Sequence, residues 1–325
     1  MRSTVTVLVT GMGALIGQGI VAGLRSDGRA RVIGLDRRIS DHGASLCDAF
    51  VVKPDCDEAD PAYLAFWQDL IVNEGVDLVL PGISADMDFL DANRERLSPL
   101  GVRLGLNTAR LIRETRDKLE FFRLLECADL PRIESRQPAS WSEALATFGD
   151  PPFMFKPRSG EGGQGQAVIR TERDFAYWTS RANDNWLMQP FVGSDDAEFT
   201  VGAFGLGDGA FLDEMIVMRR WLTRAGNTGR AEITDAPNVE AAARALMKHF
   251  CPEGPTNLQF RLDNGVPRLL EINPRFSSSC SLRVAFGFNE AAMSIDHYLL
   301  RRRPQVGPIR RGRAERYSAD HVVYG

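Results

Sequence analysis

The chain has 325 residues, of which 44% are hydrophobic and 25% charged, with a net charge of -4; this is an ordinary soluble composition, long enough for two or three compact units. No apolar run approaches the ~20 residues of a membrane helix, and the apolar N-terminal stretch leads straight into a glycine turn instead of a signal-peptide pattern, so a cytoplasmic protein is expected. The charge balance gives no global pull toward nucleic acid, and the locally basic "RRRPQVGPIRRGRAER" reads as a solvated surface segment.

The runs "TVTVLVT" and "ARVIGLD" read as buried strands, with the glycine turn and a helix between them. Gly11, Gly13 and Gly17 have the spacing G-x-G-x-x-x-G, one residue too long for the dinucleotide fingerprint. Asp36 ends the second run, where an acid could take a ribose hydroxyl. "AFVV", "VDLVLPG" and "VRLGL" continue the alternation to about residue 107, which predicts an open, mostly parallel α/β sheet. Residues 109–127 read as one helix, with a break at Leu130-Pro131. A second unit then carries strand-like runs in "PFMFKPRSGEGGQGQAVIR", "NWLMQPFVG", "AEFTVGAFG" and "TNLQFRLDNGVPRLLEINPRF", the last two-stranded around an Asn-Gly turn signal. The chain is expected to end as a helix and a short tail.

Five cysteines (Cys47, Cys56, Cys127, Cys251, Cys280) form no C-x-x-C pair, and the histidines (His42, His249, His297, His321) show no ligand spacing, so neither a zinc site nor a disulfide framework is indicated. Basic residues are almost all arginine: only Lys53, Lys118, Lys156 and Lys248 are lysines. "FKPRSGEGGQG" puts Lys156 at a strand end before a flexible loop with Gly160, Gly162, Gly163 and Gly165. Glycines let successive N–H groups turn toward an anion, and the lysine adds a point charge, which suits a phosphate lid. The lysine precedes the glycines, so this is no Walker A loop.

In the last hairpin Glu271 and Asn273 lie two apart and point to one face. With "DNGVP" as a five-residue loop, Arg268 pairs with Leu262, Gln259 lies opposite Glu271, and Pro267 stays out of the ladder. One carboxylate with two amide oxygens cannot cage an ion alone but suits magnesium held beside phosphates. Arg275, two residues on, could reach a phosphoryl oxygen. In "MRRWLTRAGNTGR", Arg219, Arg220, Arg224 and Arg230 could pair with carboxylates of a substrate.

Together "RDKLEFFRLLECADLP", "FKPRSGEGGQG", "MQPFV", "EFTVG" and "LQFRL…LLEINPRFSSS" resemble the successive motifs of the ATP-grasp superfamily. The flavour is that of a single synthetase unit of the carbamoyl phosphate synthetase large subunit and related carboxylate-amine ligases. The resemblance implies mixed α/β and α+β architecture. Residues 1–107 would form a Rossmann-like, parallel α/β pre-ATP-grasp domain, and 108–303 the ATP-grasp fold with a lid at about 128–190; 304–325 would be the tail. It implies Lys118 and Lys156 on ATP phosphates, with Gly162, Gly163 and Gly165 in the lid. Adenine would lie on the backbone of Gln189, Pro190, Phe191 and Val192, and the ribose on Glu198. Gln259, Glu271 and Asn273 would hold magnesium, or manganese in its place, with Arg275 and Lys156 acting on the transferring phosphoryl group.

The expected reaction joins a small carboxylic acid to an amine through an acyl phosphate, with ADP released. Neither nucleic acid nor membrane is an expected partner, and a homodimer is an allowed assembly. Two departures qualify the pattern. Pro190 stands where many members have an acid, and Ser278 stands where synthetase units carry a second arginine, which points to an organic acid rather than bicarbonate. The rival readings are an NAD-dependent reductase using the first domain and a nucleotide-binding protein without turnover. No tyrosine has a lysine four residues later, as a reductase proton donor would need.

Overall fold

A computed structural model describes residues 4–38, 40–160, 165–224 and 226–323. Its first unit is a five-stranded parallel sheet built from β1 (Val5–Thr10), β2 (Ala30–Asp36), β3 (Ala49–Val52), β4 (Leu78–Leu80) and β5 (Arg103–Leu104), in the order β3-β2-β1-β4-β5. β1 is mostly β-branched and apolar, with Val7, Leu8 and Val9 fully buried, because both faces are covered. Leu8 packs with Ile33, Tyr63 and Trp67 on one side, while Val7 and Val9 pack with Ile20 and Leu24 on the other. The second cluster also takes in Phe276, Cys280, Ile295 and Tyr298, so the two ends of the chain share one core.

The displaced third glycine has a packing reason. A Cβ on Gly17 would lie 2.4 Å from the Gly11 carbonyl oxygen, so the helix Leu15–Asp27 can approach the turn only with glycine there. Asp36 is occupied by the same turn: its Oδ2 accepts Gly13 N–H at 2.7 Å and its Oδ1 accepts Arg37 N–H at 2.7 Å.

The expected single helix over 109–127 is two helices, Ala109–Glu114 and Lys118–Cys127. Asp117 separates them, its side chain accepting the amides of Leu119 and Glu120 as an N-cap. A small antiparallel sheet follows, made of β6 (Phe153–Lys156), β7 (Ala167–Ile169) and β8 (Leu187–Pro190) in the order β7-β6-β8. The helices Trp141–Phe148 and Glu172–Thr179 flank it, around a core of Phe153, Phe155, Phe175, Trp186 and Met188.

The largest sheet comprises β9 (Glu198–Gly207), β10 (Ala210–Phe211), β11 (Ile216–Leu222), β12 (Thr228–Ile233), β13 (Glu253–Asp263), β14 (Val266–Asn273) and β15 (Arg313–Glu315). Its order is β14-β13-β9-β11-β12-β15, with β10 on β9. The helix Pro237–Phe250 covers one face through Val239, Ala243 and Leu246 against Val201, Leu258 and Phe260. On the other face, Phe286 and Phe288 pack on Ile216, Met218 and Ala231.

Two expectations change here. The β13–β14 connection is the two-residue turn Asn264-Gly265, with φ of 49° and 80°, as a tight hairpin requires. Pro267 therefore does pair, with Leu262, and Arg268 lies opposite Arg261. Proline is tolerated because β14 is an edge strand. A register shift between Gln259 and Phe260 then absorbs one residue of β14 and returns Gln259 to its place opposite Glu271. The segment read as a tail is likewise part of the fold, since β15 pairs antiparallel with β12.

Candidate active site

Two lysines approach the lid loop from different elements. Lys156 ends β6, on the face opposite the buried Phe155. Lys118 opens its helix, where its N–H donates to the Arg158 carbonyl at 2.9 Å and its Nζ to the Gly160 carbonyl at 2.8 Å. Arg158 in turn pairs with Asp117 at 2.5 Å, so the start of the loop is fastened to the N-terminus of that helix. Gly165, with φ of 71°, ends the loop against Pro157. Gly162 and Gly163, expected in the lid, lie outside the described residues.

Burial lowers the Lys156 ammonium to about 8, partly opposed by Glu271 and reinforced by the charges of Arg261 and Lys118. Lys156 thus sits in the electrostatic field of the large sheet, whose facing residues come next.

Glu271 and Asn273 share one face of β14, with Asn273 Nδ2 donating to Glu271 Oε1 at 2.8 Å, and Gln259 stands directly across on β13. Glu198 opens β9 opposite Arg261. Its carboxylate is 3% exposed and held from both sides: Arg220 reaches Oε1 at 2.6 Å and Arg261 reaches Oε2 at 2.8 Å. Arg220 also donates to Gln259 Oε1 at 2.5 Å, tying β11, β9 and β13 together across the face.

The arginine-rich stretch separates accordingly. Arg220 is turned inward onto the protein's own carboxylate. Arg219 donates to the Asp196 carbonyl at 2.6 Å, and the guanidinium carbons of Arg219 and Arg230 lie 4.9 and 4.1 Å from the Trp221 ring centre.

At the hinge, the buried Gln189 side chain donates to Ser135 Oγ at 2.7 Å. Pro190 pairs with Phe153, Phe191 N–H donates to the Pro152 carbonyl at 3.1 Å, and Val192 packs against the large-sheet core. Gly193 has φ of 60°, and a Cβ there would lie 2.3 Å from the Leu262 carbonyl oxygen; glycine lets the hinge rest on β13. The Arg261 guanidinium lies 5.7 Å from the Phe191 ring centre.

Arg275 lies just beyond β14, its Nε donating to Ser84 Oγ at 2.9 Å and its Nη1 to the Phe276 carbonyl at 3.0 Å. Ser84 opens a helix after β4, so the carboxyl ends of the first sheet meet the end of the hairpin here. Nearby within that unit, Lys53 and Asp86 form a buried ion pair.

The family model described as an ATP-grasp in the biosynthetic pathway with Ter operon matches residues 183–318, which include the hinge, Glu198 and the hairpin. The fold is similar over nearly the whole chain to the biotin carboxylase domain of the Hydrogenobacter thermophilus 2-oxoglutarate carboxylase, solved as a dimer with MgADP, ADP and bicarbonate. That similarity has a TM-score of 0.72 at 14% identity, covering 96% of this chain and 74% of that one.

Residues 183–318 match the ATP-grasp family model, and the whole chain shares the fold of that solved carboxylase domain.

Two other solved structures have similar folds. An ADP complex of N5-carboxyaminoimidazole ribonucleotide synthetase has a TM-score of 0.74 at 16% identity, covering 96% of this chain and 81% of that one. The Thermus thermophilus synthetase of the same name has 0.69 at 18% identity, covering 95% and 81%. No curated protein matches the sequence. No helix among the described residues is long and apolar enough to cross a membrane. The residue that sequence reading passed over is Arg261. It lies two positions from Gln259 on β13, and strand alternation alone puts it on the same face.

Proposed function

We propose that the chain is an ADP-forming ligase that activates a carboxylate with ATP and passes it to an amine. The observation that carries this reading is that Lys156, at the end of β6, feels the charge of Glu271 on β14, which shares its face with Asn273 and lies across from Gln259. A cation from one layer and a carboxylate from the other suit a bound polyphosphate and its metal.

The donor set fits magnesium. Glu271, Asn273 and Gln259 offer hard oxygens on one face, and Gln259 keeps a second lone pair beyond the one that accepts Arg220. Among the described residues no group of three or more His, Cys, Asp or Glu side chains could hold a metal, so phosphate oxygens would complete the shell. When bound, the ion neutralises charge on the transferring phosphoryl group.

The residues then divide the work. Lys118 and Lys156 hold the phosphates, and the hinge backbone from Gln189 to Val192 receives the base. Arg275 faces the transferring group, and the lid loop excludes water from the acyl phosphate. Glu198 is assigned the ribose, which it can take only by sharing its carboxylate with Arg220 and Arg261. No protein nucleophile is needed.

The test is an ADP-release screen of acid and amine pairs with magnesium and ATP, followed by mass spectrometry of the mixtures that respond. A new amide with one ADP per product supports the ligase. Nucleotide binding without ADP formation across the panel would leave a binding protein instead.

A further inference from the structure

The turn that follows Arg275 receives a guanidinium from a distant part of the chain. Arg316 comes directly after β15, and its N–H donates to the Gly229 carbonyl at 2.8 Å, extending the pairing with β12. Its side chain turns inward. Nη1 donates to the Thr228 carbonyl at 3.1 Å, while Nη2 reaches the Ser278 carbonyl and, at 3.4 Å, Ser281 Oγ. The turn itself is fixed: Ser279 N–H donates to Ser277 Oγ at 3.1 Å, Cys280 N–H to the Ser277 carbonyl at 2.9 Å, and the Ser279 and Thr228 hydroxyls meet at 2.9 Å.

The Arg316 guanidinium donates to neutral oxygens, and no carboxylate among the described residues pairs with it. The other inward-turned arginines differ: Arg220 meets Glu198 at 2.6 Å and Arg283 meets Glu290 at 2.8 Å. A half-buried cation without a counter-ion is costly to keep. Burial accordingly lowers the Arg316 pKa from its ordinary value, with no carboxylate to restore it. The protein nevertheless holds this group in place through three backbone or hydroxyl oxygens, two of them in the turn that follows Arg275. Ser278, which hands its carbonyl to Arg316, stands three residues after Arg275.

We propose that Arg316 binds the carboxylate of the substrate to be activated, so that β15 delivers a substrate-binding residue to the turn 277–281. This rests on the ligase reading and deepens it: the anion is held by a guanidinium that the sheet edge supplies, beside the Arg275 end of the turn. Carboxylate chemistry could come from bicarbonate or from an organic acid, and the two are separable.

Full-length wild type, Arg316→Ala and Arg316→Lys are compared. With magnesium and ATP saturating, ADP release is followed against bicarbonate in one arm and against mono- and dicarboxylic acids in the other. The alanine variant is expected to raise the half-saturating concentration of the stimulating acid roughly 10- to 100-fold, the worth of a hydrogen-bonded charge. The lysine variant recovers part of the loss, and calorimetric MgATP affinity is unchanged in both. The arm that responds names the source of the carboxylate.

A second readout needs no turnover. Phenylglyoxal labels guanidinium groups, and labelling of Arg316, read by peptide mass, should be slowed by bicarbonate or by the effective acid without ATP. If no acid stimulates the wild type, the ligase reading fails while the labelling still decides the role of Arg316. Unaltered acid dependence in Arg316→Ala overturns the proposal, as does labelling that no acid slows.

Discussion

In the proposed site, Lys156 ties the protonation of one side chain to nucleotide binding. Its ammonium titrates at about 8 instead of the ordinary 10.5 because burial penalises the charge. Between those values the unfolded chain holds more protons than the folded one, so this group alone makes stability rise with pH across that window. A polyphosphate favours the charged form and acts the opposite way. MgATP binding should therefore take up a proton just above pH 8 and weaken as pH rises further, which calorimetry in buffers of different ionisation enthalpy will read. Lys156→Met should abolish that uptake and weaken ATP binding by roughly 10-fold or more. Glu271→Gln keeps the size of the side chain and removes its charge; ADP formation should fall by roughly 100-fold or more with the melting temperature retained.

Among the elements, the large sheet is fastened to the segment above it by a buried network. Arg283 and Glu290 are both fully buried, and Arg283 Nη2 reaches Thr200 Oγ1 at 2.9 Å on β9 and Asn257 Oδ1 at 2.5 Å on β13. Arg283→Met leaves Glu290 charged and unpaired, so the unfolding free energy should drop by roughly 3–5 kcal/mol in denaturant titrations. The double change with Glu290→Met should cost less than the single one, and an equal or larger loss would disprove the pairing.

This network shows where sequence reading ends. The strands and the Asn-Gly turn signal were legible because alternation and turn chemistry are local, whereas Gln259 was placed opposite Glu271 through a five-residue loop that is in fact a two-residue turn compensated by a register shift. The split at Asp117 was missed: an acidic cap followed three residues later by Glu120 marks it, but the apolar period of 109–127 runs through it. The partners of Arg220, Arg283 and Arg316 were not legible. Each lies on an element brought near by sheet order, and no local period records which of many arginines meets which carboxylate or carbonyl.

At the scale of the molecule, the first unit is joined to the C-terminal helical segment through the helix Leu15–Asp27. A Cβ on Gly23 would lie 2.7 Å from Asn289 Oδ1 and 3.0 Å from the Ala291 Cβ, while Asn289 Nδ2 donates to the Gly23 carbonyl at 2.9 Å. Gly23→Val should therefore overpack this contact and lower stability by roughly 1–3 kcal/mol, seen as an earlier midpoint of a single unfolding transition. An unchanged midpoint would mean that the surfaces do not meet.

The shared core also sets an order of events during synthesis. Val7, Val9 and Ile20 are covered by Phe276, Cys280, Ile295 and Tyr298, which are translated long after them. A ribosome that has made the first sheet has thus made a surface whose partner does not yet exist. The nascent chain must carry that bare apolar face through most of its elongation, as a client for chaperones that bind exposed hydrophobic segments, until Tyr298 has emerged.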